Sequence, residues 1–134
     1  MVRVLPLLAL LLVALAGCGG GGDDDAGEVR QTIRDFVEAT NERDGDAMCG
    51  ELLTQGYLEK SFLATGDRAE EACRQQLEAT VDLELKLISV GRPKVDGEEA
   101  TVRAVIDTDG VRAPRLFRLE LEDGRWKLAD GTEG

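Results

Sequence analysis

The chain has 134 residues, room for one domain, and an apolar fraction of 43% that can build one packed core. Its 16 Lys and Arg stand against 27 Asp and Glu, and the resulting formal charge of −11 repels phosphate backbones and anionic lipid surfaces. Nucleic-acid partners and membrane binding through a basic patch are thereby excluded, and the absence of histidine removes Ser-His-Asp and Cys-His catalysis, histidine metal sites and histidine pH switches together.

The first stretch is an address. Residues 1–18 read MVRVLPLLALLLVALAGC, with Arg3 as a positive start and an apolar run from Val4 to Ala14 interrupted only by Pro6. That run is shorter than the roughly 20 residues a membrane-spanning helix needs, and it fits the apolar region of a signal peptide. It ends in Leu15-Ala16-Gly17-Cys18, which resembles a bacterial lipobox. The resemblance implies a signal peptide over 1–17, transfer of diacylglycerol to the Cys18 thiol, cleavage before Cys18, and further acylation with a fatty acid such as palmitate. The mature protein is then a lipoprotein on the extracytoplasmic face of the cell envelope membrane. Residues 18–27 follow as the lipidated cysteine and a Gly/Asp tether, GGGGDDDAG, spanning about 15–18 Å if fully flexible. Contiguous Asp23, Asp24 and Asp25 on such a tether lack the preorganised cage that calcium needs.

Residues 28–134 read as one α+β domain. Val29, Ile33, Phe36, Val37 and Thr40 make the stripe of an amphipathic helix over 28–43. Asp44-Gly45-Asp46 ends it and offers Asp46 as the next N-cap, opening a short helix over Ala47–Thr54 with Met48, Cys49, Leu52 and Leu53 on its apolar side. A further helical stretch over Tyr57–Leu63 brings Tyr57, Leu58, Phe62 and Leu63 toward the core. Asp67 and Glu70 have the spacing of a capping box, and the helix they open runs to about Val81 with Ala69, Cys73, Leu77 and Val81 in register. With Cys18 acylated, Cys49 and Cys73 remain as a pair. An even remainder in an oxidising compartment predicts a structural disulfide worth roughly 3–4 kcal/mol; the alternatives are free buried thiols or a redox pair without CxxC spacing, and neither histidine nor a further cysteine exists to complete a metal site.

From residue 84 the period switches to two. Asp96-Gly97, Asp109-Gly110 and Asp123-Gly124 suit tight hairpin turns and predict four strands near 84–95, 99–108, 113–122 and 125–130. A two-residue turn at Asp123-Gly124 pairs Glu122 with Arg125, Leu121 with Trp126, Glu120 with Lys127 and Leu119 with Leu128, which matches charge to charge and apolar to apolar. The middle hairpin pairs Asp107 with Arg112 and Val102 with Phe117. It also sets Pro114 inside a strand, so a bulge or longer turn is expected near 110–114. Gly91-Arg92-Pro93 reads as another bend.

Helices followed by an antiparallel meander predict helices packed on one face of a curved, mainly antiparallel, four-stranded sheet. Phe36-Val37-Glu38-Ala39, Asp44-Gly45-Asp46-Ala47 and the closing Glu122-Asp123-Gly124-Arg125-Trp126-Lys127-Leu128 hairpin resemble the nuclear transport factor 2-like (cystatin-like α+β) superfamily, and more narrowly its small lipid-anchored bacterial members. The resemblance covers about 28–130 and implies a cone whose sheet wraps a long helix around a pocket. It implies no particular reaction, because the superfamily holds isomerases, dehydratases, cyclases and many non-catalytic binding modules.

Enzymes of that fold commonly use an Asp-His pair or an Asp base with a Tyr donor. The first is impossible here, and the second would need Tyr57, the only tyrosine. The face carrying Phe117, Leu119, Leu121, Trp126 and Leu128 should be concave and apolar, and strand parity adds Arg115 and Asp130 diagonally at one end. A pocket formed by Arg115, Asp130, Tyr57, Phe117 and Trp126 is therefore expected, with Arg115 and Asp130 either orienting a ligand or forming a rim ion pair. Asp107-Thr108-Asp109-Gly110 reads as turn chemistry, and neither a metal nor a cofactor is expected. The expected function is a membrane-anchored, non-catalytic binding or accessory module for a small ligand or an envelope protein. The alternatives are an assembly module that dimerises through its sheet, its pocket filled by its own side chains, and a pocket enzyme using carboxylates alone.

Overall fold

A computed structural model describes residues 22–80 and 82–133. Cys18 and its lipobox lie outside the described residues. The long helix α1 spans Gly22–Glu42 and buries Val29, Ile33, Val37 and Thr40 along the expected stripe, with Phe36 half-buried. It begins six residues before the expected start, so residues 22–27 of the supposed tether are helical. The physical reason lies in charge and packing. Acidic residues are favoured in the first turn of a helix, and Asp25 Oδ1 accepts a hydrogen bond at 3.1 Å from the indole N–H of Trp126.

Helix α2, Gly45–Ala47, runs directly into a π turn over Met48–Leu52 that buries Met48, Cys49 and Leu52. Its N-cap is Asp44, whose side chain accepts from the Ala47 N–H at 3.1 Å, rather than the expected Asp46, which faces Arg74 instead. Helix α3, Gln55–Phe62, is capped by Thr54, which accepts from the Tyr57 N–H at 3.1 Å. Leu63, expected near the core, is 92% exposed in the left-handed region and ends α3. Helix α4, Asp67–Ala79, buries Ala69 and Cys73 and stops before Val81. The expected capping box does not form: Gly66 is the N-cap, and Glu70 accepts instead from Arg74 at 2.6 Å, one turn further along. Arg74 Nε also stands 3.1 Å from Asp46 Oδ1, close enough for an ion pair but without hydrogen-bond alignment. Cys49 and Cys73 are bridged, with Cα atoms 5.9 Å apart, which ties the π turn to α4 as expected.

The sheet has five strands: β1 Leu85–Val90, β2 Lys94–Asp96, β3 Glu99–Thr108, β4 Val111–Glu122 and β5 Arg125–Glu133. It is open and antiparallel, in the order β1-β3-β4-β5, with β2 also on β3. The Gly91-Arg92-Pro93 bend splits the expected first strand in two. Gly91 N–H donates to the Arg103 carbonyl at 2.7 Å there, so the chain is held against β3 through the bend. The last hairpin has the expected register in all four pairs, and Asp107 faces Arg112 and Val102 faces Phe117 in the middle one.

The bulge expected near Pro114 is absent. Pro114 pairs regularly with Val105, one residue past the last described β4–β5 pair, Arg115 with Glu133. Counting outward from the Asp109-Gly110 turn, Val105 and Pro114 fall at a site that exchanges no hydrogen bonds between β3 and β4. The nitrogen of Pro114 therefore points away from β3, and no β3–β4 ladder bond is lost. Bulges occur instead at Ile88 in β1 and at Ala129 in β5.

Candidate functional site

Helix α1 crosses the inner face of the sheet, where Ala100, Val102, Ala104, Ile106, Phe117, Leu119 and Leu128 are buried. Toward the C-terminal end of α1 the two layers separate and leave an open cavity of about 270 Å³. Its floor is apolar: Phe36 from α1, Ile106 from β3, Phe117 from β4, Leu128 from β5, and Leu53 from the segment between the π turn and α3. Phe36 and Phe117 meet edge to face, with centroids 5.9 Å apart, which fixes one wall. Leu53 is held by a parallel bridge to Leu128, and the Thr54 N–H donates to the Leu128 carbonyl at 2.9 Å. That contact sets the start of α3 beside β5 and turns Tyr57 into the cavity wall. Glu122 reinforces it, its carboxylate accepting from the Gln55 N–H at 3.3 Å on the first turn of α3.

The mouth is built from Leu83, Leu85, Thr108, Arg115, Asp130 and Gly131, with Thr40 of α1 alongside. Asn41 fixes this rim, accepting from the Leu85 N–H at 2.7 Å and donating to the Leu85 carbonyl at 2.8 Å. Thr40 donates to the Phe36 carbonyl at 2.7 Å, so its oxygen keeps acceptor capacity toward the cavity. The bulge at Ala129 decides what lies opposite Phe117. Simple alternation from Leu128 would place Gly131 on the outer face, but the bulge pairs Gly131 with Phe117. A glycine there leaves the space above the Phe117 ring empty.

Four of the five expected pocket residues, Arg115, Asp130, Tyr57 and Phe117, line this one cavity. Phe117 forms the floor and Tyr57 is half-buried in the wall; Arg115 is half-buried, and Asp130 is exposed at the rim. Arg115 and Asp130 make no ion pair with each other among the described residues, because the bulge carries Asp130 up to a position opposite Arg118. Trp126 stands apart. It is buried near the Asp123-Gly124 turn, bound to Asp25, and borders a polar groove with Thr32 and Asp35 instead of the cavity. The sequence reading missed Thr40, Leu53, Leu83, Leu85, Ile106 and Gly131 as lining residues. Their apolar or small character marks a core, and only the separation of the layers makes part of that core accessible. The Asp107–Gly110 turn behaves as expected, Asp107 accepting from the Gly110 N–H at 2.7 Å, and among the described residues no cluster of potential metal ligands forms.

No family model and no curated protein sequence matches the chain. Solved structures do match it in three dimensions. A candidate aromatic ring hydroxylase from Novosphingobium aromaticivorans aligns over 82% of this chain and 87% of its own, with a TM-score of 0.62 at 15% identity. A function-unknown protein from Mycobacterium tuberculosis covers 88% of this chain and 76% of its own, with a TM-score of 0.59 at 16% identity. A nuclear transport factor 2-like protein of unknown function from Shewanella oneidensis covers 80% of this chain and 96% of its own, with a TM-score of 0.55 at 20% identity. At these identities the likeness shows the fold, and the fold of this chain is nuclear transport factor 2-like. The cavity lies between α1 and the inner face of the sheet of that fold.

Proposed function

We propose that this chain is an extracytoplasmic lipoprotein, anchored through Cys18, whose domain holds a small apolar ligand without converting it. The observation that carries the reading is the open cavity itself, apolar on its floor and polar only at its rim. Its lining argues for binding. The chain has no histidine, the rim carboxylate Asp130 is exposed to water, and Tyr57 has no side-chain hydrogen-bond partner among the described residues. General acid–base work needs a group poised by burial and by a partner; Asp130 lacks the burial and Tyr57 lacks the partner. The open cavity also weighs against a pocket filled by the protein's own side chains. Among the described residues of the sheet only Ile88 and Val111 are large exposed apolar residues, and they lie on different strands rather than in a patch.

Two measurements test the reading on the full chain. A fatty-acid probe fed to producing cells should label the protein and not the Cys18→Ser variant; equal labelling of both refutes the anchor. Small aromatic probes such as indole should raise the melting temperature saturably. Conversion of a bound compound that disappears in Asp130→Asn or Tyr57→Phe, with the fold intact, refutes the non-catalytic part.

A further inference from the structure

The described end of the chain nearest Cys18 in sequence and the cavity mouth lie at opposite ends of α1. α1 has 21 residues and is about 31 Å long. Its N-terminal half is bound to the start of β5 by the Asp25–Trp126 hydrogen bond and by the Thr32 hydroxyl, which donates to the Trp126 carbonyl at 3.0 Å. The beginning of α1 therefore moves with the domain. Gly22 follows Cys18 by four residues, a stretch that reaches no further than about 14 Å.

Phe36 and Thr40, which border the cavity, stand about 21 and 27 Å along the helix axis from Gly22. Asn41, next in sequence, clamps Leu85 at the rim. β5 repeats the polarity, with Trp126 at the anchored end and Asp130 and Gly131 at the mouth. Charge opposes laying the helix flat on a bilayer, since α1 carries seven acidic residues against two arginines. Size matters as well. About 270 Å³ is less than twice the roughly 150 Å³ that holds a benzene, and it is far short of two acyl chains.

Building on the anchored-binder reading above, we propose that the cavity takes a small, largely apolar molecule from the aqueous compartment, its mouth held away from the bilayer, and does not draw a membrane lipid.

The test uses the full chain, lipidated in its host and reconstituted in phosphatidylethanolamine and phosphatidylglycerol vesicles carrying a headgroup energy acceptor. With Cys49 and Cys73 bridged, a fluorophore is placed on Asp24→Cys, at the anchored end, or on Val111→Cys, beside Thr108 at the mouth. Energy transfer should be strong from position 24 and several-fold weaker from position 111. Indole should raise the melting temperature equally in the vesicle-bound chain and in the soluble Cys18→Ser chain. Equal transfer from both positions, loss of the indole shift on anchoring, or a phospholipid retained one-to-one in native mass spectrometry would each overturn the proposal. Failure of the underlying reading looks different. An unacylated Cys18 peptide in a chain that does not sediment with vesicles removes the anchor, and an indole shift in neither form removes the ligand; either result takes the proposal with it.

Discussion

Gly131 is the residue on which the cavity most directly depends. A Cβ built there would lie 3.5 Å from Cδ1 and Cε1 of Phe117, an ordinary contact, and its backbone does not demand glycine. Gly131→Ala should therefore fold with a stability within about 0.5 kcal/mol of the parent. Gly131→Leu should place its side chain over the Phe117 ring and abolish the indole-induced melting shift while leaving the far-ultraviolet spectrum unchanged. A Leu variant that binds indole like the parent would show that the ligand sits elsewhere. The disulfide acts at the same scale by a different route, because it closes a loop of 24 residues' separation in the unfolded chain. Replacing Cys49 and Cys73 together by Ser should cost roughly 3–4 kcal/mol and lower the melting temperature by about 10 °C or more, read by calorimetry.

Among the elements, α3 is the one whose position rests on few bonds. Thr54 is buried, caps α3 through its hydroxyl, and donates its own N–H to Leu128. Thr54→Ala should cost about 1–2 kcal/mol in denaturant unfolding and weaken indole binding, since Tyr57 is the residue whose N–H loses its acceptor. How much of each element can be read in advance follows from how local its cause is. The Asp123-Gly124 hairpin is legible to the residue because a two-residue turn fixes register and each facing pair then agrees in charge or polarity. The bulge at Ala129 carries no such mark. Nothing in Leu128-Ala129-Asp130 distinguishes it from regular strand, yet it moves Asp130 beside Arg118 and Gly131 onto Phe117, and so shapes the rim. Pro114 misleads in the opposite direction: its missing N–H costs no β3–β4 bond, because the two-residue turn at Asp109-Gly110 sets Pro114 at a non-hydrogen-bonded site opposite Val105, a fact about register and not about Pro114. Capping has the same limit. Asp44 and Asp46 are equivalent by type, and the choice between them is made by Arg74, which reaches Asp46 from α4. The apolar floor of the cavity was visible as an alternating face, whereas the separation of helix from sheet above it depends on packing that no local pattern encodes.

At the scale of the whole molecule, α1 is a spine that joins the segment leading to Cys18 to the rim of the cavity. Its first turns were expected to be a tether because glycine and adjacent aspartates disfavour any fixed backbone. Two nonlocal facts reverse that expectation: the Trp126 indole offers a buried N–H that must be satisfied, and Asp25 is the acceptor within reach once the helix extends back to it. Residues 22–27 are then part of the fold, which yields a prediction that separates helix from tether. Deleting residues 19–21, which precede α1 in sequence, should leave the melting temperature unchanged. Deleting residues 22–27 removes the acceptor of a charge-assisted hydrogen bond worth about 1.5–3 kcal/mol and strands the indole N–H. It should lower the melting temperature by several degrees and raise hydrogen exchange at Thr32 and Trp126. Asp25→Asn keeps an oxygen at the same place and should recover most of the difference from a matched Asp25→Ala variant. If both deletions left stability and exchange unchanged, the first six residues of α1 would contribute nothing to the fold, and they would act as a tether after all.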